Sequence, residues 1–284
     1  MFTNLTNSAK AFLFYVFAFG LTVTVSLLYP VLGEIAGFIH MFTPTLAVLI
    51  MMLVVTRDGY SKAGWATLGL HRLGLRWWVV ALLGPLVLMS AIYGLVWSSG
   101  IAHAVVPDGL FTPAVLSSML TSGLGISCAV AIGEEIGFRG YLLSRLMHLG
   151  ATRALLLSGL LFAIWHLPLM LLTPFIPVLG NWLIMIPVLV LTLTGGGVFY
   201  GYLRLSSSSV WPGTLAHGGI NWLFSLFAAL TVTASPLALA YLAGEMGVLT
   251  LLVIWVAAGW LLYRLAQEPR AATQLITQPI EANT

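Results

Sequence analysis

The sequence predicts an all-α fold: a polytopic integral membrane helix bundle of about eight transmembrane helices. Two observations point there. Of 284 residues, 60% are hydrophobic and only 7% are charged, whereas a soluble domain carries roughly a quarter charged residues. A soluble fold of this length has too much surface to cover with so few charges. The second observation is the recurrence of apolar runs near the length, about 20 residues, that a helix needs to cross the hydrocarbon of a bilayer.

In chain order these runs lie near residues 11–32, 36–55, 78–98, 114–144, 154–173, 182–203, 210–232 and 238–263. The first follows Lys10 and outruns the roughly 7–15 apolar residues of a secretory signal. No small-x-small cleavage site follows it, so it reads as a retained span. Pro30, Gly33 and Glu34 mark the turn into the second run. The fourth run is too long for a simple crossing and reads as tilted or as extending into the cytoplasm. The whole of 1–284 reads as a single transmembrane domain, with its core helices at about 114–232 and a polar, disordered tail at about 266–284.

The basic residues supply an independent check. With eight spans and a cytoplasmic N-terminus, the inner segments hold Lys10, Arg57, Lys62, Arg72, Arg76, Arg145, Arg153, Arg204, Arg264 and Arg270. The outer connections hold no Lys or Arg, and one of them carries Asp108. Ten of the eleven basic residues then lie on one side, as the positive-inside rule expects. Seven spans would scramble the pattern. Both termini are therefore expected in the cytoplasm. The longest inner loop, Arg57–Trp77, mixes three further basic residues with Trp65, Leu68, Leu70, Leu73 and Trp77. It reads as an interfacial segment against lipid headgroups, or as an ordinary surface loop.

Composition also excludes some functions. A net charge of +3, scattered along the chain, is no footprint for nucleic acid. The single cysteine, Cys128, permits no intrachain disulfide and no Cys-based metal site, and reads as a packing residue. No internal repeat supports a repeat-built transporter. Oligomeric state leaves no mark in the sequence.

Ionisable groups inside spans are costly and tend to face the bundle interior, where they serve a function. Here they cluster. The fourth span carries Glu134, Glu135 and Arg139, the fifth His166, and the seventh His217 and Asn221. At about 1.5 Å of rise per residue, Glu134 lies about 16 Å from the inner end of its span and His166 about 18 Å from its own. His217 and Asn221 fall at about 10 and 16 Å. Three helices with opposite chain directions thus bring polar groups to a similar depth, in the cytoplasmic half of the bilayer. A file of residues across the membrane, as a proton-linked transporter needs, is not what this spacing describes.

Glu135 and Arg139 are four apart on one helix face and can form an ion pair. Glu134 points about 100° away and lacks that partner, which makes it the better candidate for a reactive carboxylate. His217 and Asn221 share a face of their helix. Two imidazoles, carboxylates and an amide suit hydrolysis by an activated water. The carboxylate takes the proton, one histidine orients the water or protonates the leaving amine, and the other histidine and the amide donate to the oxyanion. The same residues suit a zinc ion held by His166, His217 and Glu134, with an open position for water. No HExxH helix occurs, which excludes a zincin-type site. The residues alone leave zinc and metal-free chemistry both open. Each group also has an ordinary structural reading: a Glu–Arg pin, a satisfied core histidine, an interhelical amide. Their convergence at one depth favours a site. Glu34 belongs at the outer interface. Trp165, Trp211 and Trp222 read as packing residues, and Gly195–Gly197 with Gly201 as a close helix approach.

At these residues the chain resembles the CPBP family of intramembrane proteases, which includes CAAX prenyl endopeptidases and bacterial bacteriocin-processing or immunity-type members. Its EExxxR motif is matched by Glu134-Glu135-Ile136-Gly137-Phe138-Arg139. FxxxH is matched by Phe162-Ala163-Ile164-Trp165-His166, and HxxxN by His217-Gly218-Gly219-Ile220-Asn221. The three stand in order, on three separate expected spans, and the resemblance covers roughly Ser118 to Leu230. It implies an endopeptidase acting on membrane-proximal or prenylated peptides and proteins. Glu134 is then the general base, His166 assists, His217 and Asn221 form the oxyanion hole, and Glu135 with Arg139 supports them. The family has been described as metalloproteases and as glutamate-dependent proteases, so the resemblance keeps the zinc alternative open. The competing readings are a non-catalytic scaffold or regulator of the same fold and, less favoured, a proton-linked transporter.

Overall fold

The computed structural model describes residues 5–175 and 178–267. Seven of its helices are long and apolar enough to cross a membrane: α1 Asn7–Leu27, α2 Ile35–Val55, α3 Leu75–Ser98, α4 Pro113–Leu149, α5 Ala151–Leu172, α6 Trp182–Ser207 and α8 Val248–Gln267. Between α6 and α8 lies an eighth long helix, α7, Trp211–Ala229. The chain is an integral membrane protein and an all-α bundle. Of the tail expected at about 266–284, Ala266 and Gln267 continue α8, and the rest lies outside the described residues.

Helix α7 stands where the sequence places a span, yet it is not apolar enough to qualify as one by itself. Pro212, four glycine or threonine positions, His217 and Asn221 dilute its hydrophobic residues. It is tolerated because α3, α4 and α6 pack around it, so lipid never has to solvate its polar face.

Several boundaries are set by local chemistry. The Thr6 hydroxyl accepts the Ala9 N–H at 3.2 Å and caps α1. Gly150, at φ +86°, breaks α4 from α5. Asn181 caps α6 through the Leu183 N–H at 2.9 Å. The expected run at 238–263 is divided: Pro236–Leu242 forms a separate short helix, and α8 begins only at Val248. A two-stranded antiparallel ribbon, β1 Ala102–Ala104 with β2 Thr231–Thr233, joins the connections that follow α3 and α7. Strands of three residues are too short to leave a periodic signal.

The Arg57–Trp77 segment is a cap over one end of the bundle. Leu68 is fully buried. The Arg204 guanidinium donates to Thr67 O at 3.0 Å, and the Trp211 indole to Leu70 O at 3.0 Å. Asp58 pairs with Lys10 at 3.2 Å and reaches Arg145 at 3.8 Å. These contacts tie the loop to α1, α4, α6 and α7.

Two backbone approaches set the helix spacing at the centre. A Cβ on Gly159 of α5 would sit 2.6 Å from Thr194 O of α6, and one on Gly197 would sit 2.6 Å from Gly159 Cα. A Cβ on Gly218 of α7 would lie 2.7 Å from the Cys128 backbone of α4. Small residues let these helices meet backbone to backbone, and α4, α5 and α7 carry the polar groups of the three motifs.

Candidate active site

Glu134 and Glu135 sit on α4 immediately before Ile136–Leu142, where the helix widens to i→i+5 hydrogen bonding. Such widenings concentrate at functional sites. Consecutive residues project about 100° apart, so the two carboxylates take different partners.

Glu135 is fully buried. Its Oε1 accepts from Arg139 Nη1 at 2.9 Å and from the Nδ1–H of His217 at 2.9 Å. The ion pair expected from the i,i+4 spacing is therefore present, and it reaches across to α7. The Arg139 guanidinium also stacks 4.3 Å from the Phe162 ring centroid and 5.1 Å from that of Tyr200. Aromatic faces on both sides offset part of the desolvation of a buried cation.

His217 is fixed from two directions. Its Nδ1 is held by Glu135, and its ring lies nearly parallel to Tyr200, with centroids 4.9 Å apart. A carboxylate can only accept, so the Nδ1 carries the proton. Its Nε2 then faces Glu134 Oε2 at 3.9 Å. On α5, His166 Nδ1 donates to Phe162 O at 2.9 Å, which points its Nε2 at the same Glu134 oxygen, 3.7 Å away. Two imidazoles from two helices thus aim the same ring nitrogen at one carboxylate oxygen. Glu134 is 1% exposed, and its Oε2 has no hydrogen-bond partner among the described residues. Buried polar atoms are nearly always satisfied; here Glu135 Oε2 and Arg139 Nε and Nη2 are likewise unpartnered among the described residues, so the unmet polar groups gather around this one centre.

Asn221 lies one turn after His217 on α7 and is half-buried. Its side-chain amide makes no hydrogen bond among the described residues. The structure thus brings together Glu134, Glu135, Arg139, His166 and His217; the Asn221 side chain is joined to none of them by a hydrogen bond.

His166, His217 and Glu134 are the donors a zinc ion would take, and their Nδ1 anchors are of the kind that orient metal-bound histidines. Their present spacing is not that of a metal cage. Among the described residues, no group of three His, Cys, Asp or Glu side chains is placed to hold a metal ion.

Three contributors lie outside the site residues expected from the sequence. Tyr200 and Phe162 supply the aromatic walls around Arg139 and His217. His40 on α2 is fully buried, stacks on Trp165 with centroids 3.9 Å apart, and is hydrogen-bonded to Thr22. A histidine inside an apolar run was a legible signal; Phe162 stood in the FxxxH motif with no role assigned to it, and Tyr200 had no signal. Glu245, between Pro236–Leu242 and α8, is a further carboxylate near His217. Burial pushes its carboxyl above the ordinary range, and His217 acts against that rise. Glu34, by contrast, accepts from the exposed Tyr29 hydroxyl at 2.8 Å, remote from these groups in its partners. Trp165 is a core residue whose indole donates to Thr43 Oγ1 at 3.2 Å.

A helical membrane bundle with a buried carboxylate–imidazole centre on three converging helices defines a class: polytopic membrane proteins with an ionisable cluster enclosed among their helices. Residues 114–223 match the family of Rce1-like type II CAAX prenyl endopeptidases, in agreement with the CPBP resemblance, and this stretch contains all three motifs. This is a family of CAAX-type intramembrane proteases. No curated protein matches the chain.

Proposed function

We propose that this chain is an intramembrane endopeptidase that hydrolyses peptide bonds of prenylated or membrane-proximal substrates with a glutamate-activated water. The observation that carries the reading is the orphaned Glu134 Oε2 facing two imidazole Nε2 atoms at 3.7 and 3.9 Å. These separations are too long for direct hydrogen bonds, and a water held against all three groups would supply the partner that Glu134 Oε2 lacks.

In this reading Glu134 takes a proton from the water as it attacks the scissile carbonyl, and later passes it to the leaving amine. His166, its Nδ1–H committed to Phe162 O, has a lone pair on Nε2 that accepts from the same water and orients it. His217 in its imidazolium form donates from Nε2 to the oxyanion, and Glu135 offsets that charge through Nδ1. The Asn221 amide is the second oxyanion donor. Glu135 and Arg139 are positioning residues. No step passes through a metal.

The distribution of basic residues supports cytoplasmic N- and C-termini and a site in the cytoplasmic half of the bilayer. The same end of the bundle carries the Arg57–Trp77 cap.

The test is cleavage of a farnesylated CAAX peptide and its unlipidated counterpart by purified protein in proteoliposomes. Wild-type protein cleaves the lipidated peptide, and Glu134→Gln, folded to the same thermal midpoint, does not. Undiminished cleavage by that variant would refute the assignment. Absence of cleavage by wild type, with cellular function intact in Glu134→Gln, would favour the scaffold.

A further inference from the structure

A cavity of about 410 Å³ opens where the Arg57–Trp77 cap meets the end of α6. It is lined by Arg72, Gly74, Arg76, Trp77, Ser206 and Ser208, among others. None of these belongs to the candidate active site.

Its charge is one-sided. Neither Arg72 nor Arg76 has an ion-pair partner among the described residues; the ion pairs of this end engage Lys10, Asp58 and Arg145. Arg204 lies just behind the wall, packed against Gly69, and its Nε is buried without a hydrogen-bond partner among the described residues. Burial, and then the charges of Arg72 and Arg204, hold the neighbouring His71 imidazole below the usual histidine range. Three uncompensated guanidiniums around one opening make a site for an anion.

The walls are built rather than incidental. Ser209 Oγ donates to Arg72 O at 2.5 Å, and Ser207 Oγ donates to Leu203 O at 2.6 Å. Gly74, at φ +64°, brings the cap so close that a Cβ there would meet Ser207 Cβ at 3.1 Å. The Ser206 and Ser208 hydroxyls are left without hydrogen bonds to other described residues and can donate into the cavity. Around the mouth, Leu73, Leu75 and Val79 are more than half exposed, and the Trp78 indole is turned back to Leu73 O at 2.9 Å. Exposed aliphatic residues with tryptophans beside a cationic opening are the composition of a membrane–water interface.

We propose that this cavity binds a phosphate anion, held by Arg72 and Arg76 with the Ser206 and Ser208 hydroxyls, and that the phosphate is that of an anionic phospholipid headgroup. Guanidinium groups match phosphate oxygens bidentately, and serine hydroxyls complete the donor set. Arg76 lies 5.7 Å from the Trp77 ring centroid, which steadies its plane. A free phosphate shares the headgroup's chemistry, and the experiment separates the two.

The experiment uses full-length protein in nanodiscs of phosphatidylcholine, with or without phosphatidylglycerol, followed by native mass spectrometry of retained lipid. A second arm titrates detergent-solubilised protein with inorganic phosphate. Wild-type protein is expected to retain phosphatidylglycerol selectively. Arg72→Gln/Arg76→Gln is expected to lose about 30-fold in that preference, at about fivefold per arginine. Arg57→Gln/Lys62→Gln, which removes two exposed charges of the same cap outside the cavity, is the control for bulk charge and should keep the preference. Phosphate binding in the second arm that depends on Arg72 and Arg76, without lipid selectivity, would keep the anion site and reassign its ligand. Equal retention by wild type and the cavity variant, or an equal loss in the control, would overturn the proposal. Both variants must show the wild-type thermal midpoint, and Arg72→Lys/Arg76→Lys should restore part of the binding if a variant does not.

Discussion

His217 gives its Nδ1–H to Glu135 at 2.9 Å, and this one bond decides what the rest of the imidazole can do. It keeps a proton on Nδ1 and turns Nε2 toward Glu134, so that a second proton, on Nε2, makes that nitrogen a donor. Adjacent glutamates on one helix thereby acquire different partners: Glu135 Oε1 is spent on Arg139 and His217, its Oε2 being left unpartnered, while Glu134 makes no hydrogen bond at either oxygen among the described residues.

Glu134→Gln should lower kcat for a lipidated peptide by about 10²–10⁴-fold, the usual contribution of a general base, with KM little changed. Single-turnover cleavage in proteoliposomes reads this directly. A loss of less than tenfold would place the base elsewhere.

Glu135→Gln leaves Arg139 as a buried cation without its counter-charge, so stability should fall by about 3–5 kcal/mol. A thermal midpoint lower by about 10 °C is the expected reading. In Glu135→Gln/Arg139→Met the stranded charge is gone, so the midpoint should recover while activity does not. Recovery of both would show that the pair is only a structural pin.

Asn221→Ala should reduce kcat by about 10²–10³-fold, as for loss of one oxyanion donor, without a fall in thermal midpoint. The amide makes no hydrogen bond to other described residues that its removal would break. An unchanged kcat would remove Asn221 from the oxyanion hole.

Gly159→Ala drives a methyl group to 2.6 Å from Thr194 O, so α5 and α6 must separate. Overpacking of this kind costs about 1–3 kcal/mol, and the shift displaces His166 on the same helix. Thermal midpoint and cleavage rate should fall together. Gly94→Ala, whose Cβ meets nothing within 4 Å, should leave both intact.

Cleavage should survive incubation with 1,10-phenanthroline, and elemental analysis should find less than one zinc per chain. The geometry behind this is that no group of three donor side chains among the described residues is placed to hold an ion. Inactivation by the chelator with recovery on added zinc would make His166, His217 and Glu134 metal ligands instead.

Much of the architecture is legible without coordinates, because a bilayer punishes exposed polar backbone and so imposes long apolar helices. Six spans fall where their apolar runs lie, and the Glu135–Arg139 pair follows from helix geometry alone. The division of the run at 238–263 rests on a short break: Gly244, at φ +79°, turns the chain, and Gly244, Glu245 and Gly247 interrupt the hydropathy over too few residues to end an apolar window. The aromatic wall of Tyr200 was hidden, since an aromatic residue in an apolar helix has the same composition whether it faces lipid or an arginine; Phe162 was visible in the FxxxH motif, but not its contact with Arg139.

Sequence by itself determined that this chain lives in a membrane, that its helices carry three polar motifs, and that those motifs share a depth. Tertiary structure alone decided that α7, too polar to face lipid, is wrapped by α3, α4 and α6. It also decided that Glu135 Oε1 is shared between Arg139 and His217 while Glu134 makes no hydrogen bond among the described residues. The reason is physical: periodicity fixes depth and rotation along one helix, but only the backbone contacts at Gly159 and Gly218 set how near, and at what angle, one helix presents its side chains to the next.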